Sequence, residues 1–306
     1  MAVDYTTTAL IESVKRRVSV PTSQALFANL DFCKIATDEL QSVIVPLVMA
    51  EQEDYFLHTL DQDIDGVKIA FDLPDRAIGQ KLQDVGIYNT STRDYVTKPR
   101  LRVEDYGSPY GDYVEAFNGY YLENDTLVFK PTLSASADKL RIFYYRRPNN
   151  LVRTSDAGKI TNINTSTKVV SLDNLPTTWT TSTKLDLIKG SGGFRSLSDD
   201  FTGTTIAGFD ITLSTLPEGI AVGDWISEAG QSPIPQIPYE GHHLLAQLVA
   251  IKVLESLGDA KGMQLAMAKY QDMLKNFVTT ITSRVEASPQ RVVGRGNIFH
   301  ARRRFY

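Results

Sequence analysis

The chain has 306 residues, 42% of them hydrophobic and 22% charged, a balance that suits a globular protein with a sizeable core and excludes extensive disorder. Its longest nearly apolar run, residues 43–50, is interrupted by Pro46 and too short to cross a membrane, and one cysteine with four histidines leaves no internal disulfide and no cysteine-rich zinc site. The net charge of −4 is uneven, because residues 284–306 hold six arginines and one acid and carry +5, so that the rest carries −9.

Leu10, Val14 and Val18 recur at helical spacing behind the Thr6–Thr8 run, which predicts a capped helix ended by Pro21. The N-terminus has no continuous apolar stretch ahead of its charges, so it does not read as a secretory signal, and a reducing cytosolic setting is the default expectation. A second amphipathic helix carries Phe32, Ile35, Ala36, Leu40, Val43, Leu47 and Val48 on one face, with Asn29 or Asp31 as cap and a kink at Pro46. From Tyr55 the period shifts toward two, predicting strands at 55–60, 67–71, 82–88, 120–123, 126–130 and 140–146, with hairpin signals at Asp65-Gly66 and Asn118-Gly119.

Residues 161–215 are rich in Ser and Thr, which favours strands and turns, and strands are expected near 168–172, 184–188, 210–213 and 224–228 in a barrel-like all-β insertion. The last two are joined through Leu216-Pro217-Glu218-Gly219. The proline-dense linker 233–238 returns to helical periodicity: one helix over 240–257 ends at Gly258, and a second, capped by Asp259, runs to about Arg284. The expected fold class is therefore α+β. A discontinuous helical bundle is built from 1–54 and 236–285, with a β domain at 55–150, an all-β insertion at 151–235 and an extended basic C-terminal arm at 286–306.

Few motifs carry chemistry. Asp61, Asp63 and Asp65, with Gly66 and with Asp72 at the twelfth position, reproduce the opening of an EF-hand loop, but Lys68 replaces the usual apolar residue and the flanks suit a hairpin, so calcium is a weak candidate and no metal or cofactor is expected. Gly190-Ser191-Gly192-Gly193 lacks the Lys-Ser/Thr of a phosphate loop. His242 and His243 are adjacent and diverge on a helix, which makes them surface or interface residues; Cys33 reads as a buried, inert thiol. Acid pairs such as Asp199-Asp200 are spaced for solvent or turns. No catalytic constellation emerges, and an enzyme is not expected.

The C-terminal arm is different, because it interleaves arginines with Val292, Val293, Ile298, Phe299, Phe305 and Tyr306. A solubilising basic tail needs no such anchors. An arm that orders on a partner by adding a strand, with arginines meeting acids, fits the pattern, and direct DNA binding through six arginines is the alternative.

The order of features resembles the head-to-tail adaptor (connector, or neck) proteins of tailed bacteriophages. The likeness rests on Leu10-Ile11-Glu12-Ser13-Val14-Lys15-Arg16-Arg17, Pro21-Thr22-Ser23-Gln24, Asp38-Glu39-Leu40-Gln41 and Val45-Pro46-Leu47, then on the 232–238 segment, Arg284-Val285-Glu286 and the Arg-rich end. It covers the helical ends, and the β insertion only in general character. What it implies is a structural virion protein, assembled in the host cytoplasm and sited in the neck between capsid and tail: a homo-oligomeric ring of twelve copies between the portal protein and a tail or nozzle protein. Double-stranded DNA would pass its lumen during packaging and ejection without sequence-specific binding, and no membrane is involved. In that setting Arg291, Arg295, Arg302, Arg303 and Arg304 would pair with acids of the portal, and Ile298, Phe299, Phe305 and Tyr306 would anchor the arm. Met263, Met267, Tyr270, Leu274, Phe277 and Ile281, on the last helix, are the candidates for the ring interface. A carbohydrate- or receptor-binding β module of a phage tail is the alternative reading, suggested by the Ser/Thr-rich insertion and 14 tyrosines; a hydrolase using acids of the β domain is the enzymatic one.

Overall fold

Helix α1 (Thr7–Val18) starts where the Thr6 hydroxyl accepts the Ala9 N–H at 3.4 Å, a cap worth about 1 kcal/mol, and stops at Ser19, which takes a left-handed conformation. The structure is a computed structural model and describes residues 4–19, 27–101 and 119–282. Helix α2 (Asn29–Glu39) is capped from inside: the Asp31 carboxylate, at its third position, accepts the Ala28 N–H at 2.9 Å. The expected kink at Pro46 takes the form of a π-helical turn over Leu40–Ile44, before α3 (Val45–Glu51). Pro46 has no N–H to give, and the widened turn, in which the Val45 N–H reaches Leu40 O, keeps Leu40, Ile44, Val45 and Val48 all buried across the break.

Helix α4 (Tyr239–Leu257) is apolar nearly all round and is buried from Gly241 to Leu254, except on the side of His243 and Lys252. Gly258, at φ 72°, closes it, and the Asp259 side chain accepts the Gly262 N–H at 3.0 Å to open α5 (Ala260–Ile281). Helices from both ends of the described chain thus enclose one core, in which Leu10, Val14, Phe32, Leu40 and Val48 meet Leu245, Val249, Phe277 and Ile281. Gly241 lets α5 come close, since a Cβ there would lie 3.4 Å from the Phe277 ring.

Between the helices lie β1 (Leu57–Asp63), β2 (Ala70–Asp72), β3 (Ala77–Tyr88), β4 (Tyr95–Thr97), β5 (Gly119–Glu123), β6 (Thr126–Lys130) and β7 (Lys139–Arg146). They form a four-stranded sheet in the order β1-β7-β3-β4 and a three-stranded one in the order β2-β6-β5, with Phe71, Val85, Leu127, Phe129, Leu140 and Ile142 in one shared core. Two expectations are corrected here. Asp65-Gly66 turns the chain, but between strands of different sheets, so it is no hairpin; Gly66 sits at φ 78°, and a Cβ there would meet the Ala135 backbone nitrogen at 2.6 Å. The β5–β6 hairpin turns at Asn124, in the left-handed region at φ 51°, and not at Asn118-Gly119, whose Gly119 begins β5. Residues 55–56, expected as strand, belong to the 3-10 turn Glu53–Phe56.

The chain then passes a short strand, β8 (Asn150–Leu151), into β9 (Ala157–Asn164), β10 (Val169–Leu172), β11 (Lys184–Ile188), β12 (Ser196–Ala207), β13 (Asp210–Leu213) and β14 (Trp225–Glu228). These six close a barrel in the order β10-β13-β12-β11-β14-β9, so β13 and β14, consecutive in the chain, are not neighbours. Closure removes sheet edges, and the short apolar alternations fill the narrow interior with Ile160, Val170, Leu185, Leu187, Ile211 and Ile226. Strand β15 (Gln231–Ser232) pairs in parallel with β8 and leads into the proline linker. That linker is buried throughout, with the Pro233 carbonyl accepting the Thr7 N–H at 2.8 Å. Among the described residues no helix is long and apolar enough to cross a membrane.

Candidate functional site

Strand β11 sends Leu185 and Leu187 into the barrel, so Asp186 between them faces outward, yet it is wholly buried because the neighbouring β domain covers it. Its Oδ2 accepts from Arg76 Nη1 at 2.6 Å, Asn149 Nδ2 at 2.7 Å and the Gly230 N–H at 2.9 Å, and its Oδ1 accepts the Asp200 N–H at 3.1 Å. Arg146, at the end of β7, lays a two-pronged contact on Asp199, Nε to Oδ2 at 2.9 Å and Nη2 to Oδ1 at 2.8 Å, and also donates to Asn149 Oδ1 at 2.9 Å. Arg76 reaches Asp200 at 2.7 Å, and Gln236 of the proline linker accepts the Asn149 N–H at 2.8 Å. Two arginines and three aspartates therefore pin together the β domain, the barrel and the linker. The solvent-or-turn reading is corrected for Asp199, which is largely buried in this joint; Asp200 is half exposed, at φ 54°, and fits it.

Beside this joint lies an open cleft of 790 Å³, walled by Tyr55–Thr59 on one side and by Gly193, Arg195–Leu197 and Glu218-Gly219 of the barrel on the other, with Arg146, Pro148 and Gln236 also lining it. The Tyr55 hydroxyl donates across it to Gly193 O at 2.7 Å. Burial disfavours the Asp199 charge, but Arg146, the Ser196 hydroxyl and Arg76 outweigh it and hold that carboxyl below its ordinary value. His58, 3.7 Å from Asp199, is pushed below its ordinary value, chiefly by burial, with Arg146, Arg195 and Arg76 opposing the pull of Asp199. The Ser196 hydroxyl is bonded to Asp199, not to His58, so this serine is not paired with a base.

The four aspartates of the EF-hand-like stretch do not converge. Asp61 takes a bidentate contact from Arg141 at 2.7 Å, Asp63 pairs with Lys139, Asp65 accepts the Val67 and Lys68 N–H groups, and Asp72 lies 3.8 Å from Lys68. No group of three or more His, Cys, Asp or Glu among the described residues is placed to hold a metal ion. Cys33 is buried, and burial first, then Asp156, push its thiol up to about 11.

Of the helix residues proposed for a ring interface, Phe277 and Ile281 are corrected: they are 4% and 3% exposed in the core of the chain itself. Tyr270 and Leu274 are half-buried against that core, Met263 is half-buried, and Met267 is 47% exposed. Leu265, which was not singled out, is 75% exposed. His242 is a further correction, because it is enclosed by the rings of Tyr5 and Phe194, and burial lowers its pKa to about 3; its neighbour His243 is exposed. Arg291, Arg295, Ile298, Phe299, Arg302, Arg303, Arg304, Phe305 and Tyr306 lie outside the described residues.

The joint was missed in the sequence, although a signal exists. Asp186 inside Leu-Asp-Leu-Ile, and Arg146 at the end of Ile-Phe-Tyr-Tyr, are charges set in strongly apolar strands, and such charges need buried partners. No protein-family model matches this chain, and no curated protein matches it significantly.

Proposed function

We propose that the chain is a structural, non-enzymatic virion protein that forms a homo-oligomeric ring between the capsid portal and the tail, lines the channel through which double-stranded DNA passes and docks on the portal through its C-terminal arm. The observation that carries this reading is the state of α5. It is a 22-residue amphipathic helix, yet Phe277 and Ile281 are its only buried residues among those described, while Leu265 and Met267 stand exposed on its first half. A helix with so much apolar surface left over is suited to a neighbouring copy, and a head-to-tail contact that closes generates a ring. The −9 carried outside residues 284–306 suits a wall past which DNA slides, since phosphate contacts are what retain a protein on DNA. The clamped aspartates and the hydrogen-bonded Ser196 favour a structural over a hydrolytic role.

Light scattering and electron-microscope imaging of the chain, alone and mixed with its cognate portal, test the proposal. Ring-shaped complexes with several copies per portal are expected; a persistent monomer that ignores the portal overturns it. Leu265→Glu with Met267→Glu should abolish assembly while shifting the chain's own unfolding by less than about 0.5 kcal/mol, because neither side chain belongs to its core. Deleting 286–306 should abolish portal attachment and leave the rest of the chain folded, as read by cooperative melting; attachment by the truncated chain would remove the arm from the account.

A further inference from the structure

The exposed face of α5 has a definite pattern. Leu265, 75% exposed, stands one helical turn from Lys261 on one side and from Lys269 on the other, and both lysines are exposed. Asp272 follows on the same face two turns beyond Leu265, so the stripe sets one large apolar side chain between two lysines and stays net positive. Neither lysine has an ion-pair partner among the described residues. Met267, two residues on from Leu265, is turned about 200° round the helix and belongs to another flank.

A surface of the opposite character is built by other elements. Where the start of α2 meets the loop between β10 and β11 and the end of β14, an open groove of 530 Å³ is walled by Leu30, Val152, Leu175 and Pro176. The charged residues lining it are both acids, Asp156 and Glu228, and no lysine or arginine lines it among the described residues. Asp156 is already held at both oxygens by Arg153, whereas Glu228 makes no ion pair and accepts only from the Gln231 side-chain amide, at 3.4 Å. The groove therefore offers an apolar seat beside a carboxylate still open to a cation, which is what the α5 stripe complements. No residue of α5 lines the groove, so the two surfaces do not meet within one chain.

We infer, on the basis of the ring proposed for this chain, that these surfaces join neighbouring copies: Leu265 of one copy seats against the apolar walls of the next copy's groove, with Lys261 and Lys269 facing Glu228 and Asp156. Because stripe and groove are different surfaces, the contact is head-to-tail. Each copy gives α5 to one neighbour and its groove to the other, and only a closed ring leaves neither uncovered. Closure also holds every copy on two sides at once, which lets a contact of modest area suffice.

Disulfide trapping on the chain assembled with its portal tests the placement. In Thr177→Cys/Ala268→Cys, which keeps Leu265 and puts one cysteine in the groove and one on the stripe, oxidation should link copies into a ladder of dimers, trimers and larger species on non-reducing electrophoresis. The ladder should form several-fold faster than in Thr165→Cys/Ala268→Cys, whose Thr165 is exposed on the barrel but does not line the groove. Cys33 is buried and stays out of the reaction. Rings without the ladder, or equal rates in the two variants, overturn the placement and leave the ring reading standing; a chain that stays monomeric with the portal overturns both. Charge reversal gives a second readout: Lys261→Glu with Lys269→Glu should weaken ring assembly at least tenfold by light scattering, and adding Glu228→Lys should restore it several-fold. Assembly that the lysine changes leave intact, or that Glu228→Lys does not restore, also overturns the placement.

Discussion

Replacing Asp186 by alanine is expected to destabilise the chain by about 3–5 kcal/mol, the range for removing one partner of a buried ion pair. The carboxylate is fully buried and accepts four hydrogen bonds, two of them from the side chains of Arg76 and Asn149 and two from backbone N–H groups. Its loss takes from Arg76 its one fully buried partner, leaving it Asp199 and Asp200, and leaves the Gly230 N–H without its acceptor, with Arg146, whose Nη2 lies 3.8 Å from Asp186, losing part of its neutralisation. Asp61→Ala is the control. It removes an equally well-formed pair, with Arg141, but an exposed one, for which about 0–1 kcal/mol is expected. Urea unfolding of both variants compares the two directly, and similar midpoints would mean that the joint contributes no more than a surface pair.

Acidification should destabilise the protein from about pH 6.5 downward. The folded-state pKa of His242, lowered to about 3 by burial, lies below the unfolded value near 6.5, so the stability it contributes is fully present above pH 6.5 and is lost as pH falls toward 3. At pH 4.5 this amounts to about 3 kcal/mol relative to pH 7. His58, also lowered, acts in the same direction, and Asp199, whose pKa is held below the ordinary value, adds its loss only as pH falls below about 4. His242→Phe keeps a ring among Tyr5, Phe194 and Tyr239 and removes the titrating group, so the difference in melting temperature between pH 7 and pH 4.5 should shrink by more than half. A variant with the wild-type pH dependence would show that the acid-labile group lies elsewhere.

The helices were legible because each carries its own signals: Thr6 and Asp259 cap, Gly258 stops, and apolar spacing marks the buried stripe. Strands with alternating or dense apolar residues, such as β7 and β11, were legible for the same reason. Strands β9 and β12 were not, because closure into a barrel lets Gly, Ser, Thr and Asn stand on the outer surface and spreads few apolar side chains along long strands. Pairing was beyond local pattern altogether. Nothing near Asp65-Gly66 tells that the strands on either side part into different sheets, since the partner of β1 is β7, far along the chain, and that of β2 is β6. His242 looked like a surface residue beside His243, because a helix buried nearly all round has no polar face to assign it to. The exposed half of α5 was legible as apolar, but which of its residues the chain keeps for its own core depended on where α4 and Gln52 lie.

The helical core also sets an order of events during synthesis. Its two halves are separated by the whole stretch from Glu51 to Tyr239, at about 5–20 residues per second an interval of about 10–40 s on the ribosome. The barrel is continuous in the chain and can close as it emerges, whereas α1, α2 and α3 must wait with Leu10, Val14, Phe32 and Leu40 uncovered until α4 arrives. A nascent chain of this kind is a natural client for a holdase chaperone, and one stalled before Tyr239 would present its first helices as sticky, unfinished surface.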